Sequence, residues 1–226
     1  MTKLIVALDT NNHLWARQMV EKLGSAVGFY KVGLELFTAA GPEMVRWLKS
    51  SGKKVFLDLK FHDIPTTAGR AVAAAAALDA DLCTVHVAGG REMLQACRDS
   101  AGHMKLLGVT VLTSSDENTL RECGIDRPLG QQVQQLADLA RSTRLDGIIC
   151  AATDLGQLKG LPAGFLRVTP GIRPAGSVAN DQRRVMTPAQ ASASGATHIV
   201  VGRPITAASD PQAAAQTIIN ELEESQ

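Results

Sequence analysis

Asp58, Lys60 and Asp63 alternate in sign directly after the apolar run Val55-Phe56-Leu57. If Val55 to Lys60 is a strand, its side chains alternate faces and Asp58 and Lys60 share one side. Opposite charges are costly to bury unless paired, and such places concentrate chemistry. Taken alone, the segment reads as a surface ion pair near a helix start. The remainder of the chain decides otherwise.

The elements that must position these groups alternate along the chain. Strand signals fall at Lys3 to Leu8, Phe29 to Gly33, Lys53 to Lys60, Leu82 to Val87, Lys105 to Leu112, Gly147 to Ala151, Phe165 to Thr169 and His198 to Gly202. Between them lie helical patterns: Asn11 to Leu23 with Leu14, Met19, Val20 and Leu23 on one face, and Glu35 to Ser51 with a break near Gly41-Pro42. A third starts near Pro65 and runs through the alanines at 73–77, a strong helix former that also permits close packing. Helices follow from Glu92 to Asp99, through Arg144 with a break near Gly124 to Gly130, from Thr153 to Lys159, and from Pro211 to Glu224. Eight short apolar strands, each followed by a helical pattern, fit a (β/α)8 TIM barrel better than an open doubly wound sheet. No linker or composition shift divides the 226 residues, so residues 1–226 read as one domain.

In such barrels the active site lies at the C-terminal ends of the strands. Those ends carry Asp9, Lys31, Asp58 with Lys60, His86, Thr113-Ser114, Ala151-Ala152, Thr169-Pro170-Gly171 and Gly202-Arg203. Each charge alone could simply be reaching solvent, but a scaffold without chemistry has little reason to converge them. The long connection from Pro170 to Pro188 has no hydrophobic period, and loops of that length in compact domains are usually lids or disordered segments. Barrels often bind phosphate with the loops after strands seven and eight. Gly202 would let backbone N–H groups approach an oxyanion, and Arg203 would add a charge-assisted fork.

Other chemistries find less support. With 23 basic and 22 acidic residues the formal charge is +1, which gives no global pull toward nucleic acid or an anionic membrane. Cys83, Cys97, Cys123 and Cys150 show no CxxC or zinc-type spacing and read as reduced thiols. His13, His62, His86, His103 and His198 show no ligand spacing, so no metal site is expected. The short apolar run at the N-terminus reaches Asp9 too soon for a signal sequence, and no segment approaches the roughly 18 apolar residues of a membrane span. The expectation is a cytoplasmic protein.

The elements Lys31-Val32-Gly33, Asp58-x-Lys60-x-x-Asp63-Ile64-Pro65, Leu112-Thr113-Ser114, Pro170-Gly171-Ile172-Arg173-Pro174, Asp181-Gln182-Arg183-Arg184 and Gly202-Arg203-Pro204-Ile205 together resemble the orotidine 5′-phosphate decarboxylase family, from Leu4 to about Asp210. The DxKxxD element is shared with related sugar-phosphate decarboxylases; its combination with the PGIRP and GRPI elements is far more specific. The resemblance implies decarboxylation of orotidine 5′-monophosphate to UMP, the last step of de novo pyrimidine synthesis, with no metal or organic cofactor. It implies a homodimer with shared active sites. Lys60 would protonate pyrimidine C6 and Asp58 would sit beside the departing carboxylate. Asp63 and Thr67 would enter from the partner subunit, Asp63 completing a charge network with Lys31. Asp9 and Lys31 would address the ribose, Thr113 and Ser114 the pyrimidine, and Arg173, Gln182, Gly202 and Arg203 the phosphate end.

Two other readings stay open. One is a metal-dependent sugar-phosphate decarboxylase or epimerase on the same barrel. Lys31 argues against it, because a cation at the second strand's end would repel the metal. The other is a non-catalytic nucleotide- or phosphate-binding barrel, which would need a damaged charge array, whereas Asp58, Lys60 and Asp63 are all present.

Overall fold

A computed structural model describes residues 1–174 and 186–225. Eight parallel strands close into a barrel in sequence order: β1 Lys3–Ala7, β2 Phe29–Gly33, β3 Lys54–Phe61, β4 Leu82–His86, β5 Lys105–Val109, β6 Gly147–Ile149, β7 Leu166–Thr169 and β8 His198–Val201. The closing pair is β1 with β8, where Lys3 to Val6 run in register with His198 to Val201. Closure leaves no unpaired edge, where an open sheet built from the same alternation would leave two.

The strands are apolar on both faces because both are covered. Ile5, Ala7, Phe29, Phe56, Leu82, Leu107, Val109, Ile149, Val168 and Val200 fill the barrel interior. Their chain neighbours Val6, Tyr30, Val55, Leu57, Cys83 and Ile199 face outward and pack in the layer beneath the helices. Fully burying one such side chain is worth about 1.5–3 kcal/mol.

The helices are α1 His13–Leu23, α2 Leu34–Ala40, α3 Pro42–Ser50, α4 Pro65–Ala76, α5 Gly90–Ser100, α6 Glu117–Glu122, α7 Leu129–Ser142, α8 Pro188–Ala193, α9 Arg203–Thr206 and α10 Pro211–Glu224. Short 3-10 turns lie at Val87–Gly89 and Ala152–Gln157. Asn12 starts α1 by accepting from the N–H groups of Leu14 and Trp15, each at 3.0 Å. The alanine-rich α4 packs closely on α5: a Cβ at Gly69 would lie 3.1 Å from the Ala96 carbonyl oxygen.

The strand readings hold, with five shorter C-terminal ends, β1 stopping at Ala7 and β8 at Val201, each one residue early. The fifth strand stops at Val109 rather than Leu112, the sixth at Ile149 rather than Ala151, and the fourth at His86. Thr110, Val111, Cys150 and Ala151 remain buried although they have left the sheet, so an apolar pattern continues where the strand does not. The segment read as a helix from Thr153 to Lys159 is instead the 3-10 turn, and α8 and α9 were not anticipated. No helix among the described residues is long and apolar enough to cross a membrane.

Candidate active site

The barrel's alternation delivers the chemistry. Each strand that fills the interior with an apolar residue presents its next inward position at the C-terminal mouth: Ala7 precedes Asp9, Phe29 precedes Lys31, Phe56 precedes Asp58, and Val200 precedes Gly202. There the side chains line a cavity of about 390 Å³. Asp9, Lys31, Asp58 and Lys60 come from the ends of β1 to β3, and Pro170, Gly171, Arg173, Gly202 and Arg203 from beyond β7 and β8, the latter strand lying beside β1; Val111, Thr113 and Ile149 complete the lining.

Lys31 and Lys60 share the Asp58 carboxylate. The Lys60 ammonium donates to both Asp58 oxygens at 2.8 Å, and Lys31 Nζ lies 3.7 Å from Asp58 Oδ2. Lys31 also donates to Asp9 Oδ1 at 2.8 Å. The charges therefore run Asp9, Lys31, Asp58, Lys60 in alternating sign. The inner members are well covered, Lys31 and Asp58 side chains each being 12% exposed, against 60% for Asp9. Gly33 makes room for this: a Cβ there would sit 2.8 Å from Lys31 Nζ. Burial pushes the Asp58 carboxyl up, but Lys31 and Lys60, with hydrogen bonds from Lys60 and Thr84, outweigh it and hold the group below the usual carboxylate range.

Asp58 and Lys60 meet, though not by simple strand alternation. Pairing between β3 and β4 shifts register between Leu57 and Phe61, and Lys60 has φ 51°, in the left-handed region. This bulge re-aims the lysine toward the preceding carboxylate. Its N–H bonds to Thr84 Oγ1 at 2.9 Å. Thr84, which sequence reasoning passed over, lies in the apolar run of β4, and a lone hydroxyl on that run was its only signal.

His86 ends β4 with its ring 5.4 Å from that of His62. Burial, then the nearby His62 and Lys60, push the His86 pKa down, while Asp58 partly offsets them.

Other anticipated residues divide. Thr113, Arg173, Gly202 and Arg203 line the cavity. Gly202 caps the four-residue α9, and its carbonyl accepts from the N–H groups of Ile205 and Thr206. Ser114 is exposed and outside the cavity lining. So are Asp63 and Thr67; Asp63 accepts from the Ile64 N–H at 2.7 Å. Ile64 beside it is 67% exposed. Gln182, with Asp181, Arg183 and Arg184, lies outside the described residues. Among the described residues, no three His, Cys, Asp or Glu side chains cluster as metal ligands would.

Comparison with known proteins gives one answer. Residues 2–218 match the family model described as Orotidine 5'-phosphate decarboxylase / HUMPS family. The chain is 47% identical to the orotidine 5'-phosphate decarboxylase of Moorella thermoacetica, covering 98% of this chain and 92% of that protein. It is 48% identical to the enzyme of that name from Methylorubrum populi, covering 98% and 95%. The crystal structure of orotidine 5'-phosphate decarboxylase from Lactobacillus acidophilus superposes with a TM-score of 0.87 at 41% identity, covering 98% of this chain and 99% of that one. With its charged array at the mouth of a closed (β/α)8 barrel, this chain belongs to the orotidine 5'-phosphate decarboxylase / HUMPS family.

Proposed function

We propose that the chain, residues 1–226 acting as one catalytic domain in the cytoplasm, converts orotidine 5′-monophosphate to UMP and CO2 without a metal or organic cofactor. The observation that carries this reading is the Lys60 ammonium held by both oxygens of Asp58 in the wall of the cavity. Loss of CO2 from C6 leaves a carbanion that the ring delocalises poorly, and such barriers call for stabilisation on the order of 20 kcal/mol. A preoriented ammonium is favoured most when negative charge is greatest, so it acts on the transition state rather than on substrate. Lys60 then transfers its proton to C6. Asp58 lies beside the departing carboxylate and, with Lys31, fixes the ammonium.

The remaining contacts position the nucleotide. Asp9 and Lys31 address the ribose, and Thr113 and Ser114 the pyrimidine. Arg173, Gln182, Gly202 and Arg203 receive the phosphate. That group is remote from the reacting carbon, so its binding energy can be used to orient the base and exclude water.

Asp63 and Thr67 belong in this proposal to the site of a second copy. Both are exposed and stand outside their own barrel's cavity, next to the exposed Ile64. A homodimer would cover Ile64 and bring each Asp63 to the opposite site, completing the Asp58–Lys60–Asp63 network.

The test is the absorbance change of orotidine 5′-monophosphate with purified protein in the presence of chelator. Turnover is expected to persist; no loss of substrate sinks the proposal. Activity abolished by EDTA and restored by Mg²⁺ would favour a metal-dependent relative. Against that reading stands Lys31, whose ammonium already lies 3.7 Å from Asp58.

A further inference from the structure

Thr84 lies in the middle of β4 and is 0% exposed. Its hydroxyl donates to Asp58 Oδ1 at 3.0 Å and accepts from the Lys60 N–H at 2.9 Å. One hydroxyl carries one proton and two lone pairs, so both bonds form together. The pairing matters because of where it falls. The regular ladder between β3 and β4 is interrupted between Leu57 and Phe61, and the Lys60 N–H finds the Thr84 hydroxyl instead of a strand carbonyl. A left-handed backbone at a non-glycine residue persists only where its surroundings hold it.

We propose that Thr84 is a positioning residue for decarboxylation: its hydroxyl ties the strained Lys60 backbone and the Asp58 carboxylate into one frame. The proposal rests on the reading of Lys60 as proton donor. Without the hydroxyl, the Lys60 N–H loses its partner and the bulge can relax, which moves the root of the ammonium. Asp58 loses a donor on the side away from Lys31. Among the described residues, the charged and titratable groups around Asp58 are then Lys31 from β2, Lys60 from β3, and Cys83 and His86 from β4, with Asp9 beyond Lys31 and His62 beyond His86. All of these stay in place, so the carboxyl should titrate higher for want of one hydrogen bond, not for want of a charge.

Valine has nearly the shape of threonine, and serine keeps the hydroxyl, so Thr84→Val and Thr84→Ser separate hydrogen bonding from packing. Losing a hydrogen bond to a charged group should lower kcat of Thr84→Val on the order of 10- to 100-fold. KM should change less than about threefold, because no substrate contact is removed. Thr84→Ser should stay within about threefold of the parent chain, since its hydroxyl can make both bonds. A second readout needs no substrate. Carbon-detected NMR of the ligand-free protein should place the Asp58 carboxyl titration higher in Thr84→Val than in Thr84→Ser.

Parental kcat with an unmoved Asp58 titration in Thr84→Val would overturn the proposal. So would a Thr84→Ser chain as slow as Thr84→Val, since packing would then be the cause. Should thermal melting show Thr84→Val unfolded, Thr84→Ala takes its place. An alanine chain as fast as the serine chain then counts against the proposal. If the parent chain itself leaves orotidine 5′-monophosphate untouched, the decarboxylase reading fails, while the Asp58 titration still judges the role of Thr84.

Discussion

Both carboxylate oxygens of Asp58 accept from the same Lys60 ammonium, each at 2.8 Å. A two-oxygen grip fixes the direction of the ammonium as well as its distance, and direction is what a proton donor needs. Asp58 can sustain it at neutral pH because Lys31 and Thr84 also favour its charged form.

Lys60→Ala is expected to lower kcat by about 10⁴-fold or more, since under the proposed mechanism it removes both the proton donor and the cation facing the developing charge. UMP should still bind, as the cavity wall with Arg203 is unaltered. Stopped or continuous absorbance assays measure the first and calorimetry the second. A kcat near that of the parent chain would remove Lys60 from the mechanism.

Arg203→Ala should act on affinity. Arg203 lines the cavity at the end of β8, the strand beside β1, and if it receives the phosphate as proposed, losing that charge-assisted contact should raise KM about 10- to 100-fold with a smaller fall in kcat. Steady-state kinetics at saturating substrate separate the two. An unchanged KM would take the phosphate away from Arg203.

Asp63 provides a test of shared sites. Mixed Lys60→Ala and Asp63→Ala chains should regain about a quarter of parental activity, because half the dimers are mixed and one site in each is intact. Each variant alone should be nearly inactive. Heterodimers isolated with two affinity tags and found inactive would show that Asp63 does not serve a partner.

His198 predicts a pH dependence of stability at the opposite end of the barrel. It is buried, stands edge-on to Phe29 with ring centroids 6.0 Å apart, and bonds through Nδ1 to Thr197 Oγ1. Burial, then Lys3, Lys105 and Lys54, push its pKa down from 6.5 to about 4. Between those values the unfolded chain binds a proton that the folded chain refuses. Stability therefore falls as pH drops from about 6.5 toward about 4, by up to about 3 kcal/mol, and is fully present above that window. Denaturant melts at pH 5 and pH 7.5 should show the loss, and His198→Gln should flatten it. An equal slope in both chains would assign the effect elsewhere.

The architecture was legible because the barrel repeats one pattern, and the apolar runs of β1 and β8 carry it as clearly as those of the middle strands. Strand ends were less so. Val111 is buried at 7% exposure, as a strand residue would be, but stands beyond the last residue of β5, and hydrophobicity reports burial rather than pairing. The charged wall was readable from residue type at strand ends. The route by which Lys60 reaches Asp58 was not, because the sequence around Lys60 contains no glycine to announce a left-handed turn. Thr84 escaped for a related reason: its partners lie 26 and 24 residues away, across the strand pair.

The left-handed backbone at Lys60 also matters to anyone evolving this chain in the laboratory. Glycine is the residue that such a backbone prefers, so a screen that rewards only heat resistance has a route to enrichment through loss of the lysine. A screen that rewards turnover closes that route. Arg144, exposed and with φ 58°, offers the same relief away from the cavity, so Arg144→Gly is the safer place to look for it.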